Sequence, residues 1–87
     1  MKISKLKIKN FPKGSFVRIT DEVDNEVYIS RIIKNDKLRC YVPNGIINIT
    51  VTHYKMKRFM LKNITLNCNL TITVIVTPQI VNTNNSI

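Results

Sequence analysis

His53 is the one histidine in 87 residues, and it opens the run His53-Tyr54-Lys55-Met56-Lys57-Arg58-Phe59. A lone histidine is far more often a surface or packing residue than a catalyst, and no catalytic partner for the imidazole stands out in the local sequence. The chemistry that this run suits is electrostatic. Lys55, Lys57 and Arg58 can grip phosphates, while the rings of His53 and Tyr54 can stack on bases. Phe59 falls in the inward phase of the alternation. Three cations at a hairpin end are also what an ordinary solvated turn presents.

The other reactive side chains stand apart. Cys40 lies in the inward-facing phase and reads as a small buried hydrophobe, whereas Cys68 falls at a predicted turn. Their separation has no Cys-X-X-Cys spacing, so zinc is not indicated; the thiols read as reduced, with a disulfide as the alternative. Asp21-Glu22-Val23-Asp24-Asn25-Glu26 is rich in oxygen but lacks the glycine and spaced ligands of an EF-hand loop. Asp and Asn favour turns in any case, so this segment reads as a connecting loop. With no glycine-rich phosphate loop and no carboxylate pair elsewhere, the chain reads as a non-enzyme with no cofactor and no metal.

Charge is distributed unevenly. The formal net charge is +9, all five acids lie between residues 21 and 36, and no charged residue occurs from position 63 onward. Residues 1–13 hold five lysines and no acid. Such an excess raises encounter rates with polyanions and with acidic protein surfaces. Abundant Ile, Lys and Asn also suggest an AT-rich gene, so codon drift accounts for part of the lysine content. Four Asn-X-Ser/Thr triplets begin at Asn48, Asn63, Asn69 and Asn84, a number expected by chance in so Asn- and Thr-rich a chain. The start, MKISKLKIKNF, has no continuous apolar stretch of the secretory kind, and no run approaches the roughly 20 apolar residues that cross a bilayer as a helix. The expectation is a soluble protein made inside a cell, with no membrane partner.

Period-2 alternation runs through the chain and no amphipathic helix shows. Seven strands are expected in one domain. A basic first strand or arm over 1–13 sets Leu6 and Ile8 against Lys5, Lys7 and Lys9, in the manner of an edge strand protected by lysines. A sandwich core follows over 14–77, with the strand at 5–9 as an edge, and a polar tail over 78–87. A two-residue hairpin at Asn35-Asp36 would set Ile33 opposite Leu38, Arg31 opposite Cys40 and Ile29 opposite Val42. A second at Asn44-Gly45 would pair Val42 with Ile47 and Leu38 with Val51. Both registers put the same residues inward. The outward face then collects Tyr28, Ile32, Arg39 and Tyr41, a candidate protein interface because exposed aromatics and arginine are enriched in such surfaces. The alternating run Ile64–Val76 is too long for one strand at about 3.3 Å per residue. A turn at Asn67-Cys68-Asn69 would pair Leu66 with Leu70 and Ile64 with Ile72.

Three stretches carry a family resemblance: Val17-Arg18-Ile19-Thr20-Asp21, Tyr41-Val42-Pro43-Asn44-Gly45 and Ile47-Asn48-Ile49-Thr50-Val51-Thr52. With Tyr54 and the closing Ile64-Thr65-Leu66-Asn67 and Leu70-Thr71-Ile72-Thr73-Val74, the pattern resembles transthyretin-like β-sandwiches. Carboxypeptidase regulatory domains and related immunoglobulin-like modules share this type. The resemblance implies an all-β fold, a single seven-stranded antiparallel β-sandwich. It also implies that the Pro43-Asn44-Gly45 step can cross to the other sheet instead of forming a hairpin. The branch of the family that hydrolyses hydroxyisourate uses several histidines, an arginine and a Tyr-Arg-Gly-Ser terminus, which one histidine and Asn-Thr-Asn-Asn-Ser-Ile do not match.

Most other members of that family are adhesive, spacing or assembly modules, and small free-standing ones resemble accessory domains of bacteriophage virions. The expectation is therefore a structural protein, an auxiliary (decorating or cementing) protein of a phage particle, located on the virion and made in the host cytoplasm. Its partners would be other virion proteins with acidic surfaces, a second copy of the chain being a further candidate. The alternative is a small cytoplasmic nucleic-acid-binding protein that uses the 53–59 loop (His53, Tyr54, Lys55, Lys57, Arg58) together with Lys5, Lys7 and Lys9.

Overall fold

The computed structural model describes residues 2–79. Seven strands follow in order: β1 Ile3–Lys9, β2 Ser15–Asp21, β3 Val27–Ile33, β4 Lys37–Pro43, β5 Gly45–His53, β6 Met56–Leu66 and β7 Leu70–Thr73. They form a three-stranded sheet ordered β4-β1-β7 and a four-stranded sheet ordered β3-β2-β5-β6. The inner faces share one core of Leu6, Ile8, Val17, Ile19, Leu38, Val42, Ile47, Ile49, Val51, Leu66 and Val74, joined by Phe11, Ile33 and Met56. This is the layout of a β-sandwich. Alternation produces it directly, because successive side chains on a strand point to opposite faces.

The pairing differs from the sequence expectation at three turns. β3 and β4 lie in different sheets, as do β4 and β5, and β6 and β7. The steps at Asn35-Asp36, Asn44-Gly45 and Asn67-Cys68-Asn69 are thus crossovers between sheets, and the pairings Ile33–Leu38, Val42–Ile47 and Leu66–Leu70 do not form. The physical reason is visible at Asn44. Its amide donates to the Lys2 carbonyl (2.9 Å) and its Oδ1 accepts from the Ser4 hydroxyl (2.6 Å), which ties the end of β4 to the start of β1. The crossover option that came with the family resemblance is the arrangement found.

β1 is not an edge. It pairs antiparallel with β4 on one side and parallel with β7 on the other, so the sandwich contains one parallel pair. β5 and β6 do form a hairpin, but its turn is only Tyr54-Lys55, and residues 56–59 belong to β6 instead of a loop. After β7 the chain crosses between the sheets. Val74 is fully buried, its amide donates to the Lys9 carbonyl, and Thr77 and Gln79 then hydrogen-bond with Lys57 and Lys55. The expected polar tail over 78–87 falls, from residue 80 on, outside the described residues.

Candidate polyanion-binding face

Lys5, Lys7 and Lys9 alternate with Leu6 and Ile8, both fully buried, so all three lysines project from the outer face of the three-stranded sheet. Being central, β1 gives that row neighbours on both sides. Lys5 lies opposite Tyr41, Lys7 opposite Arg39 and Lys9 opposite Lys37, and opposed residues share a face. On the other flank Lys7 pairs with Thr71 and Lys9 with Thr73. Five cations thus occupy one sheet face, with Tyr41 at its rim, its side chain 75% exposed.

Two open grooves flank Lys7. One is lined by Lys7, Lys9, Asn10, Asp36, Lys37 and Thr73, the other by Lys5, Lys7, Arg39, Asn69, Leu70 and Thr71. Asparagines close both ends. Asn69 accepts from the Lys5 amide through its Oδ1 (2.9 Å), and Asn10 donates from its Nδ2 to the Val74 carbonyl (2.9 Å). Asn10 sits at φ 71°, a left-handed conformation that asparagine tolerates better than most residues. Asp36 is the lone acid among the groove residues.

The electrostatic consequence falls on Lys7. The Arg39 guanidinium opposite it, followed by partial burial and then by Lys37, Lys9 and Lys5, pulls its pKa below the ordinary 10.5. The cations repel one another across a small area, and an anion placed there relieves that repulsion.

The expected site residues separate into several surfaces. Arg39 and Tyr41 join Lys5, Lys7 and Lys9, while Tyr28 and Ile32 lie on β3 in the other sheet. The shared face Tyr28-Ile32-Arg39-Tyr41 therefore does not exist, because it depended on a β3–β4 hairpin. Tyr28 falls in a register irregularity between Ile19 and Thr20 of β2 and packs partly against the core. Burial, then Asp21, Glu26 and Asp24, raise its phenol pKa. Ile32 lies opposite Phe16 on the outer face of the four-stranded sheet.

His53, Tyr54, Lys55, Lys57 and Arg58 form a separate hairpin end. The rings of His53 and Tyr54 stack at 4.6 Å with 26° between planes. The Lys55 amide donates to His53 Nδ1 (3.1 Å), and the Lys55 ammonium lies 5.5 Å from the Tyr54 ring centre. Met56 is buried and Phe59 partly so, which leaves Lys55, Lys57 and Arg58 exposed around Tyr54.

The cysteines are free. Cys40 faces inward opposite Leu6, and burial, slightly opposed by Arg31, pushes its thiol pKa up. Among the described residues no group of three or more His, Cys, Asp or Glu side chains meets. No helix among them is long and apolar enough to cross a membrane.

Lys37 is a member of the face that sequence reasoning did not single out. Its signal was the alternation Lys37-Leu38-Arg39-Cys40-Tyr41, in which three outward positions carry two cations and an aromatic ring. Without knowing that β4 lies beside β1, that pattern could not be joined to the N-terminal lysines. No family model matches the sequence, and no curated protein and no solved structure is significantly similar to it.

Proposed function

We propose that this chain is a non-enzymatic binding module that takes its place in a larger assembly by seating the outer face of β4, β1 and β7 on an anionic surface. The concrete case is an auxiliary protein of a bacteriophage particle, made in the host cytoplasm and carried on the virion. One observation carries the reading: five cations converge on one face around Lys7, whose pKa is lowered by their mutual repulsion. Solvated lysines scattered for solubility have no reason to converge in this way, and a docking surface for an anion does.

The strand order bears on the type of sandwich. Lettered A to G in sequence, the sheets are D-A-G and C-B-E-F. An immunoglobulin constant-type domain has A-B-E-D against C-F-G. The chain thus departs from the constant-type order, and the type proposed for it is the transthyretin-like sandwich, most of whose non-enzymatic members are adhesive, spacing or assembly modules.

Sedimentation of a lysate from the native source at low salt, where electrostatic seating is retained, tests the proposal. The chain is expected with heavy particles at constant stoichiometry, and the Lys7→Glu/Arg39→Glu variant is expected in the supernatant. Recovery of the wild-type chain only in the soluble fraction would overturn the assembly reading.

A further inference from the structure

We infer that the anion seated on this face is a single strand of nucleic acid, laid along β1 and held through its phosphates. The inference rests on the cationic face being the working surface, as proposed above, and adds what lies on it.

The composition of the face argues first. Protein–protein interfaces have an apolar, aromatic core from which charged residues, lysine above all, are depleted. Here the centre is Lys7, with Arg39 opposite it on one side and Thr71 on the other. On the outward positions of β1, β4 and β7 the large exposed apolar side chains are Tyr41 and Ile3, at the rim, and the partly buried Leu70 lines one groove. An acidic protein would find no core to bury. A nucleic-acid backbone needs none, since its affinity comes from phosphate neutralisation and counterion release.

Spacing argues second. Lys5, Lys7 and Lys9 are two residues apart on one strand, so their Cα atoms follow at intervals of about 6.6 Å. Phosphates of a duplex strand advance by only about 3.4 Å each along the axis, but they also turn about it at large radius, so successive phosphates lie much further apart in space than this rise and closer to the lysine interval. One phosphate per lysine is therefore open to any backbone laid along β1, and the choice of a single strand over a duplex rests on Tyr41, whose exposed ring can stack on an unpaired base. The Thr71 and Thr73 hydroxyls along β7 add neutral donors of the kind that bind phosphate oxygens.

Tyr41 supplies the third element. Its ring is largely exposed, opposite Lys5 and two residues from Arg39 on the same face. A base released from its stack can lie on it while its phosphate meets the cations, the combination that serves sequence-tolerant single-strand binding. The contacts inferred are to phosphates and to the flat face of one ring, neither of which carries base identity. Binding is thus indifferent to sequence, and DNA and RNA strands bind to within a few-fold of each other.

The test is fluorescence anisotropy of labelled oligo-dT and oligo-rU with the full chain, beside a DNA duplex and poly-glutamate. The expected result is binding of both single strands in preference to the duplex. Log affinity should fall with log salt at a slope between about −2 and −3.5, for three to five phosphate contacts at about −0.7 each. Lys5→Thr/Lys7→Thr and, separately, Arg39→Thr should each weaken binding at least tenfold while keeping the wild-type circular dichroism. Lys57→Thr/Arg58→Thr at the hairpin end should change it less than threefold. Preference for duplex, or a larger loss from the hairpin pair than from the face, would overturn the inference. Binding of poly-glutamate without either oligonucleotide would also overturn it but leave the docking face standing. Binding of none of the probes would sink both.

Discussion

Lys7 is the residue on which the account turns. It lies in the middle of a cationic face, with Arg39 opposite and Lys5 and Lys9 on either side along its own strand. Its proton is held less tightly in the folded chain than in the unfolded one, where the value returns to the ordinary 10.5. Between the lowered folded value and 10.5 the unfolded state binds more protons, so stability rises with pH across that alkaline window. At neutral pH the repulsion is fully present. Replacing Lys7 by Thr, a good strand residue, is therefore expected to raise the thermal midpoint slightly at low salt. The gain should shrink near 1 M salt, where the Debye length is about 3 Å, and also as pH approaches the lysine range. Melting curves of both proteins across salt and pH check this. A Lys7→Thr variant less stable than wild type at low salt would mean that packing of the lysine stem outweighs the repulsion. The same substitution should cost binding, so stability and function pull in opposite directions at this position.

At the scale of elements, alternation made the strands legible and left their partners open. Period-2 patterning reports which side of a sheet a residue faces, because that depends on the strand alone. It does not report which strand lies alongside. Ile33, Leu38, Val42 and Ile47 are all buried, and they would have been equally inward had β3, β4 and β5 formed consecutive hairpins. The agreement between the two expected registers therefore could not separate hairpin from crossover. What decides between them is side-chain hydrogen bonding between residues far apart in sequence, above all at Asn44. Ser4 is buried and its hydroxyl donates to Asn44 Oδ1. Asn44→Ala would leave that hydroxyl unsatisfied and is expected to destabilise the fold by about 1–3 kcal/mol. Ser4→Ala made in the same background should restore part of the loss, since both partners are then apolar. Chemical denaturation of the two single variants and the double variant measures the coupling. Additive losses would mean that the Ser4–Asn44 bond does not hold the crossover.

For the whole molecule, the crossovers convert two unremarkable sequence features into one surface. Lysines at 5, 7 and 9 read as edge protection, and Lys37, Arg39 and Tyr41 read as part of another face or as nothing. The sheet order β4-β1-β7 places the two sets side by side. It also removes the edge-strand explanation, because a central strand needs no such protection. The hairpin end around His53 and Tyr54, which looked more like a binding element in sequence, stands on the other sheet with fewer cations and a stacked pair of rings. The measurement that tests the central claim most directly is a nitrogen–proton correlation NMR titration of the full chain with oligo-dT, read residue by residue. Shifts concentrated in Lys5–Lys9 and Lys37–Tyr41, with residues 53–58 little changed, are the predicted result. Shifts centred on the His53–Arg58 hairpin, with β1 and β4 silent, would contradict it.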